Sequence, residues 1–442
     1  MSGAQKPVLM FQALQRVAEK ARREPMTQFT SLAHLVTVEA LEEAFRTLKK
    51  RASPGFDGVT VEGYGRDLQL NLERLHERLR TGRYIAPPVK RTYVPKEGGK
   101  QRPIGIPTVE DKVVQSAVAR VLSAIYEQLF LDFSYGFRPG RNPHQALEAL
   151  NQAFFRGEVN YVLDVDLRTF FDSMDHGVLR AFVERRVKDR SLLRLIAKWL
   201  KAGVLEDGGI THPNTGTPQG GVISPLLANV YLHYVLDVWA DKVARQHMRG
   251  QFHVVRYADD VVFGFEYRDD AERFAKALRG RLAKYKLALN EDKTRLIEFG
   301  RRALVQAERR GQKPDTFDFL GFTHISARSR QGKITVLRQT AAKRLRGAIS
   351  RVSAWCQRNR HRTVPEQRLR LGSVLRGHYQ YYGLTGNIRS LKHFYHRVIH
   401  IWRKWLDRRS QRGRMSWERF AALLQSMPLP APWLPHSIYR HA

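Results

Sequence analysis

Two aspartates stand side by side, Asp259-Asp260, between the β-prone apolar runs Val254-Val-Arg-Tyr257 and Val261-Val-Phe-Gly264. This pattern predicts a tight hairpin with adjacent carboxylates at its tip. An Asp-Asp pair in a turn most often means turn chemistry alone. A second β-prone run, Tyr161-Val-Leu-Asp-Val-Asp-Leu-Arg-Thr-Phe-Phe-Asp172, also ends in acids, and Asp164 and Asp166 share one face by period-two alternation. Acids at two strand ends in a strongly basic chain are what phosphoryl transfer with two Mg2+ ions requires. Ions ~3.5–4 Å apart need bridging carboxylates, one ion activating the attacking oxygen and the other holding the phosphates. Local chemistry alone does not separate Asp166 from Asp164 or Asp172.

The charge balance points to a polyanionic partner. The 442 residues include 76 Lys plus Arg against 42 Asp plus Glu, a formal charge of +34, and such self-repulsion is tolerated where phosphates neutralise it. A hydrophobic content of 43% excludes a wholly disordered polycation. At ~100–200 residues per domain the length predicts two or three domains. The single Cys356 excludes an internal disulfide and a zinc site built on paired cysteines, and suits a reducing cytoplasm. No stretch approaches the ~18–20 apolar residues of a membrane span, and His233, Asp237 and Asp241 break the longest greasy region. The run after Val8 reads as an amphipathic helix ending before Pro25, not as a signal core.

The elements that must position the acids read as α/β. Helical periodicity covers 37–50, 60–80, 109–130, 142–156, 176–202, 223–247 and 269–286. Strand candidates are 90–95, 101–106, 159–166, 252–258, 261–266, 295–299 and 317–322. The loop Ser134-Tyr-Gly-Phe-Arg-Pro-Gly-Arg-Asn142 is expected to be exposed and contact-making. Composition shifts near Ser326 to Gly332: residues 328–442 hold 25 Lys plus Arg against Glu366, Asp407 and Glu418. That step predicts a domain boundary. Beyond it, Tyr379, Tyr381, Tyr382, Phe394, Tyr395, Trp402, Trp405 and Trp417 interleave with the bases. Such a mixture suits phosphate neutralisation with stacking on unpaired bases, while the same aromatics also serve as core.

The combination of motifs resembles group II intron-encoded reverse transcriptases and maturases. The carriers are Tyr257-Ala-Asp-Asp260, the acidic run ending at Asp172, and Thr215-Gly-Thr-Pro-Gln-Gly-Gly-Val-Ile-Ser-Pro-Leu-Leu-Ala-Asn-Val-Tyr231. Further blocks follow the family's order: Ser53-Pro-Gly-Phe-Asp-Gly-Val-Thr60, Tyr93-Val-Pro-Lys96 with Arg102-Pro-Ile-Gly-Ile-Pro107, Ser134-Tyr-Gly-Phe-Arg-Pro-Gly140, Leu289-Asn-Glu-Asp-Lys-Thr294, Phe319-Leu-Gly-Phe322 and Arg376-Gly-His-Tyr-Gln-Tyr-Tyr382. The likeness spans roughly 50–400 and implies a right-hand polymerase with an α/β palm. Residues 1–29 become a helical extension, 30–159 fingers, 160–326 palm, 327–405 a helical thumb or maturase domain, and 406–442 a basic tail.

The resemblance assigns roles residue by residue. Asp166, Asp259 and Asp260 match the acids holding two Mg2+ ions, which singles out Asp166. Phe171 matches the side chain that excludes a ribose 2′-hydroxyl. Lys96 and Arg102 match bases gripping the triphosphate, Gln219 a residue lining the nucleotide pocket, and Lys293 a lysine near the triphosphate that acts as acid toward pyrophosphate. Arg376, Tyr379, Tyr382, Arg403, Lys404, Arg408 and Arg409 are the expected RNA-binding residues. The implied function is RNA-directed DNA synthesis together with binding of the parent group II intron RNA for splicing and mobility. Partners would be that RNA, an RNA template with a DNA primer, and target DNA, in a bacterial cytoplasm. Antiviral defence or DNA repair without an intron, and a mainly RNA-binding splicing cofactor, are the alternatives. No Cys-x-x-C pair or His-Asn-His-like cluster follows Trp417, so an endonuclease-lacking form is expected. His393, His396 and His400 read as a helix face near RNA, not as metal ligands.

Overall fold

The computed structural model describes residues 5–95, 101–155, 159–206, 209–211, 215–217, 220–329, 331–409 and 415–436. It divides into two compact units, Met1–Leu150 with Val162–Leu296, and Asn151–Tyr161 with Ile297–Ala442. Helices and sheets are mixed, as the periodicities predict, and no described helix is long and apolar enough to cross a membrane.

The first unit opens with α1 (Gln5–Arg23), α2 (Val38–Arg46), α3 (Val61–Gly65) and α4 (Leu68–Arg80). Strands β1 (Val89–Pro95) and β2 (Gln101–Ile106) then pair antiparallel, Val94 opposite Arg102. Helix α5 (Val109–Tyr126) begins at Thr108, whose hydroxyl accepts the Asp111 N–H. It buries Val113, Val114, Val118, Val121 and Leu122, the all-round burial of a helix that forms core. After α6 (Pro143–Phe155) come β3 (Tyr161–Asp166), α7 (Phe170–Ser173), α8 (His176–Glu184) and α9 (Arg190–Leu200). The expected single helix at 176–202 is thus two. Asp189 separates them, capping α9 through the Ser191 and Leu192 N–H groups while also accepting those of Leu32 and Ala33. Strands β4 (Val204–Glu206) and β5 (Gly209–Thr211) complete a sheet of order β2-β1-β4-β5.

Helix α10 (Ser224–Leu232) runs through a π-helical turn, His233–Asp237, into α11 (Val238–Lys242). Strands β6 (Phe252–Tyr257) and β7 (Asp260–Phe265), helix α12 (Arg268–Lys284) and strand β8 (Arg295–Glu298) follow. The second sheet has the order β6-β7-β3-β8, so the two acidic strands of the sequence are neighbours. Phe274 of α12 anchors it, its ring 4.6 Å from Phe263, 5.2 Å from Phe252 and 5.3 Å from Phe265.

The second unit holds α13 (Arg301–Arg309), the sheet of β9 (Thr316–Phe319), β10 (Phe322–Arg328) and β11 (Ile334–Thr340), and helices α14 (Ala342–Arg358), α15 (Val364–Tyr382), α16 (Ile388–Asp407) and α17 (Trp417–Ser426). Three expectations are corrected here. The single strand at 317–322 is a hairpin turning on Leu320 and Gly321, both at positive φ; an apolar Leu in the turn hides it. The charge step near Ser326–Gly332 falls inside the β10–β11 hairpin, not between packed units. The packing boundary instead follows aromatics: Phe299 lies 4.8 Å from Phe154 and 5.1 Å from Phe317. Finally, the tail after 405 is not separate, since Phe420 of α17 packs 5.6 Å from Trp402 in the core of the helical bundle.

Gln367 locks that bundle. Its amide donates to the carbonyls of Asn359, Arg360 and Arg362 at 3.0, 3.2 and 3.0 Å, and its oxygen accepts the Trp402 indole N–H at 2.9 Å. Gln367→Leu should lower unfolding free energy by about 2–3 kcal/mol, because a buried indole N–H loses its acceptor and the turn its donor. Denaturant unfolding of the full chain checks this, and a change within ~0.5 kcal/mol, the range of ordinary surface substitutions, would contradict it.

Candidate active site

Strands β6 and β7 are joined through Ala258 and Asp259, with Tyr257 and Asp260 paired across the mouth of the turn. Ala258 is held at φ +57, a left-handed conformation that costs ~1–3 kcal/mol and persists only where its surroundings impose it. The predicted hairpin with acids at its tip is present. Beside β7 lies β3, which ends at Asp166. Burial pushes the Asp259 carboxyl above the usual aspartate range; the Asp166 charge adds to the rise, and the Arg102 and Arg256 charges oppose it. Asp260 is exposed.

The segment after α12 flanks the end of β3. Asn290 donates its side-chain amide to Asp166 Oδ2 at 2.8 Å and its backbone N–H to the Asp166 carbonyl at 2.8 Å. Lys293 Nζ lies 3.1 Å from the same Oδ2. Asp164 instead has Arg295 at 4.0 Å. Asp172 is raised by burial and lowered by the charges of Arg91 and Arg102. Carboxylate oxygens are the hard donors Mg2+ prefers. Among the described residues no group of three His, Cys, Asp or Glu side chains is assembled to hold a metal ion. That suits Mg2+, which is usually bound by one or two carboxylates plus substrate phosphates.

The acidic turn is braced from below by groups the sequence reading overlooked. Arg256, wholly buried, forms a two-pronged pair with Asp237, Nε to Oδ1 at 2.7 Å and Nη2 to Oδ2 at 2.6 Å. Its Nη1 donates to Asn229 Oδ1 and to the Ala258 carbonyl, each at 3.0 Å. Asn229 in turn donates to the Gly136 carbonyl at 2.8 Å. A Cβ at Gly136 would lie 2.2 Å from the Ala258 nitrogen, so only glycine lets the two backbones touch. The loop 134–142 was expected to be exposed; Ser134, Tyr135 and Arg138 are instead buried, and the loop backs the turn. The π-helical turn carries Asp237, and Arg281 donates to its Tyr234 and Val235 carbonyls at 3.0 and 2.9 Å. Charges interrupting two greasy runs, Asp237 and Arg256, were the available signal for a buried pair.

A second wall forms around Phe171. Its backbone carbonyl accepts the Thr217 N–H at 2.9 Å, and Gly216, at φ +85, fits against Asp172, where a Cβ would come within 2.8 Å. Phe170 is buried, 5.4 Å from the partly exposed Phe171 ring. Gly220 presses on β2, its missing Cβ 2.4 Å from the Gly105 oxygen. Gln115 of α5 accepts the Ile223 N–H at 3.3 Å and donates to Asp111 at 2.9 Å, tying down the segment's exit. Arg102 acts on both Asp259 and Asp172, so the arm bearing it faces the acids. Lys96 and Gln219 lie outside the described residues.

In the second unit the expected RNA contacts divide. Tyr379 is wholly buried with its hydroxyl on the Pro430 carbonyl at 3.2 Å, so it is core and not a stacking platform. Arg409 Nε donates to the Arg360 carbonyl at 2.7 Å and its Nη2 to that of Arg362, which makes it a brace for the α14–α15 turn. Tyr382 packs 5.2 Å from Phe322 and is partly exposed. Arg376, Lys404 and Arg408 are exposed; Arg403 lies over the Trp417 ring at 4.3 Å, and Lys404 and Arg408 lie over Trp405.

Removing one member of the buried pair should be far worse than removing both. Arg256→Met should destabilise by about 3–5 kcal/mol, because Asp237 is left charged and unpaired, and adding Asp237→Leu should recover most of it. Unfolding of both variants tests this; additive losses would mean the pair is not the brace.

The residues 94–324 match the family model described as reverse transcriptase (RNA-dependent DNA polymerase). Protein YkfC of Escherichia coli (strain K12) is 32% identical over 373 residues, covering 77% of this chain and 94% of that protein. The group II intron-encoded protein LtrA of Lactococcus lactis subsp. cremoris is 36% identical over 225 residues, half of this chain and 37% of LtrA. The putative COX1/OXI3 intron 1 protein of Saccharomyces cerevisiae is 26% identical over 311 residues, 60% of this chain and 37% of that protein. The activity that follows is that of an RNA-directed DNA polymerase. With its acids at adjacent strand ends and the match running through both, the chain belongs to the reverse transcriptase family, in its group II intron-encoded reverse transcriptase and maturase branch.

Proposed function

We propose that this chain copies RNA into DNA at the Asp166, Asp259 and Asp260 carboxylates with two Mg2+ ions, and that it binds its parent group II intron RNA to promote splicing and mobility. The carrying observation is the turn that sets Asp259 beside Asp166 at adjoining strand ends, with the Arg102 charge acting on it. In this reading the first unit supplies fingers and palm, and the helical bundle of the second supplies the thumb. Bound Mg2+ supplies activation of the primer hydroxyl and neutralisation of phosphate charge. The chain's own residues do the rest. Asp166, Asp259 and Asp260 present the oxygens; Arg102, with Lys96 opposite it in sequence, holds the triphosphate. Lys293, now on Asp166, is placed by its reach to hand a proton to the departing pyrophosphate. Phe171, backed by Phe170, stands against the sugar.

Intron binding draws on Arg376, Tyr382, Arg403, Lys404 and Arg408. It is supported by a basic segment in which 25 Lys plus Arg face three acids and by relatives whose printed names include group II intron-encoded protein and intron maturase.

Asp259→Ala with Asp260→Ala should abolish primer extension on an RNA template while RNA binding and splicing of a cognate intron persist, since binding needs no metal site. Extension near the wild-type rate in that variant would refute the metal assignment. Loss of splicing together with extension would refute the separation of the two activities.

Phe171→Ala should raise the efficiency of ribonucleotide relative to deoxynucleotide incorporation, while deoxynucleotide addition stays within about tenfold, or ~1.4 kcal/mol. Single-nucleotide incorporation kinetics measure the ratio. An unchanged ratio would return Phe171 to the core.

A further inference from the structure

Helices α14 and α15 bound a groove of about 710 Å3 in the second unit. Arg351, Trp355 and Arg358 line it from one face of α14 at i, i+4, i+7 spacing; Arg370 and His378 line it from one face of α15, two turns apart. The floor is apolar, and no acidic residue contributes to the lining. Arg351 and Arg370 are exposed and make no ion pair among the described residues.

One feature of that floor is out of keeping with an ordinary core. His378 is nine-tenths buried, stacked on Phe394 with ring centroids 3.9 Å apart, yet its Nε2 has no hydrogen-bond partner. A buried polar atom left unpaired costs ~1–3 kcal/mol, which a bound partner would offset. Burial, reinforced by the Arg351 charge, pushes the imidazole down to about 4, so it stands neutral at physiological pH.

We propose that this groove receives one unpaired RNA nucleotide, with Arg351 and Arg370 on its phosphates, the base against Trp355 and the apolar floor, and His378 Nε2 hydrogen-bonded to the base edge. The inference rests on the RNA-binding reading above and adds a site that reading lacks. Guanidinium groups around an apolar floor match a phosphate beside a base face. An apolar protein helix in the same place would leave Nε2 unpaired and the arginines without counter-charge.

The test uses the full chain and three probes: a short single-stranded RNA, the same RNA as a blunt duplex, and the single strand bearing one abasic site. His378→Phe keeps the stack on Phe394 and removes the polar edge. It should weaken single-strand binding about three- to tenfold, the worth of one hydrogen bond, without lowering the melting temperature. Arg351→Gln with Arg370→Gln should reduce the salt slope of binding by ~1.4, two phosphate contacts on a single strand. That double variant decides the matter where His378→Phe fails to fold. Wild-type protein should prefer the single strand and lose that preference with the abasic probe. If wild type binds RNA but the folded variants match it on all three probes, the groove is not the receptor. Protection of α14 and α15 amides that RNA does not change would mean the groove is filled by protein, and would also overturn it. If wild type shows no salt-dependent RNA binding at all, the broader RNA-binding reading is what fails.

Discussion

The active site depends on holding negative charges together where they repel. Asp259 is buried in a two-residue turn with Asp166 acting on it from the neighbouring strand, and both effects oppose its ionisation. The fold meets this by fixing the backbone beneath the turn. The buried Arg256–Asp237 pair, Asn229 and the bare face of Gly136 converge on Ala258, so the strained residue has little room to relax. A buried ion pair is a poor source of net stability but a good device for fixing one geometry, because any departure leaves a charge unpaired in low dielectric. That suits a site whose carboxylates must point outward at a cation not yet bound.

Local counter-charges complete the arrangement. Lys293 and Asn290 attend to Asp166, and Arg102 acts on both Asp259 and Asp172. These cations belong to a chain with an excess of 34 positive charges. The acids are therefore local exceptions in a field that gathers phosphates toward them. The segments forming the opposite wall are set by absent side chains: Gly216 against Asp172 and Gly220 against β2 admit no Cβ without a clash. Substrate contacts on that wall rest on backbone shape as much as on polar groups.

Much of this was legible in the sequence because hairpins and period-two alternation are local. The turn at Asp259, the acids at the end of β3 and nearly every strand of the first unit follow from runs of β-branched residues. Long-range pairing was not legible. Arg256 and Asp237 each read as an interruption of a greasy segment, and their partnership required knowing that the π-helical turn brings them together. The Leu320-Gly321 turn was hidden by an apolar residue at positive φ. Charge composition misplaced the domain boundary, since packing follows Phe154, Phe299 and Phe317 while the Lys and Arg excess begins in a surface hairpin. Aromatic residues among arginines were ambiguous for the same reason: Tyr379 and Trp402 are core, whereas Trp417 is exposed.

The central claim is that Asp166, Asp259 and Asp260 hold the ions that drive nucleotide addition. Its most direct test is a titration of the full chain with Mn2+, bound to primed RNA template and a non-reactive deoxynucleoside triphosphate, with free ion followed by electron paramagnetic resonance. The account predicts ~2 ions per ternary complex and the loss of at least one in an Asp166→Asn chain that still binds the primed template. The same number of ions, held as tightly, in that variant would contradict it.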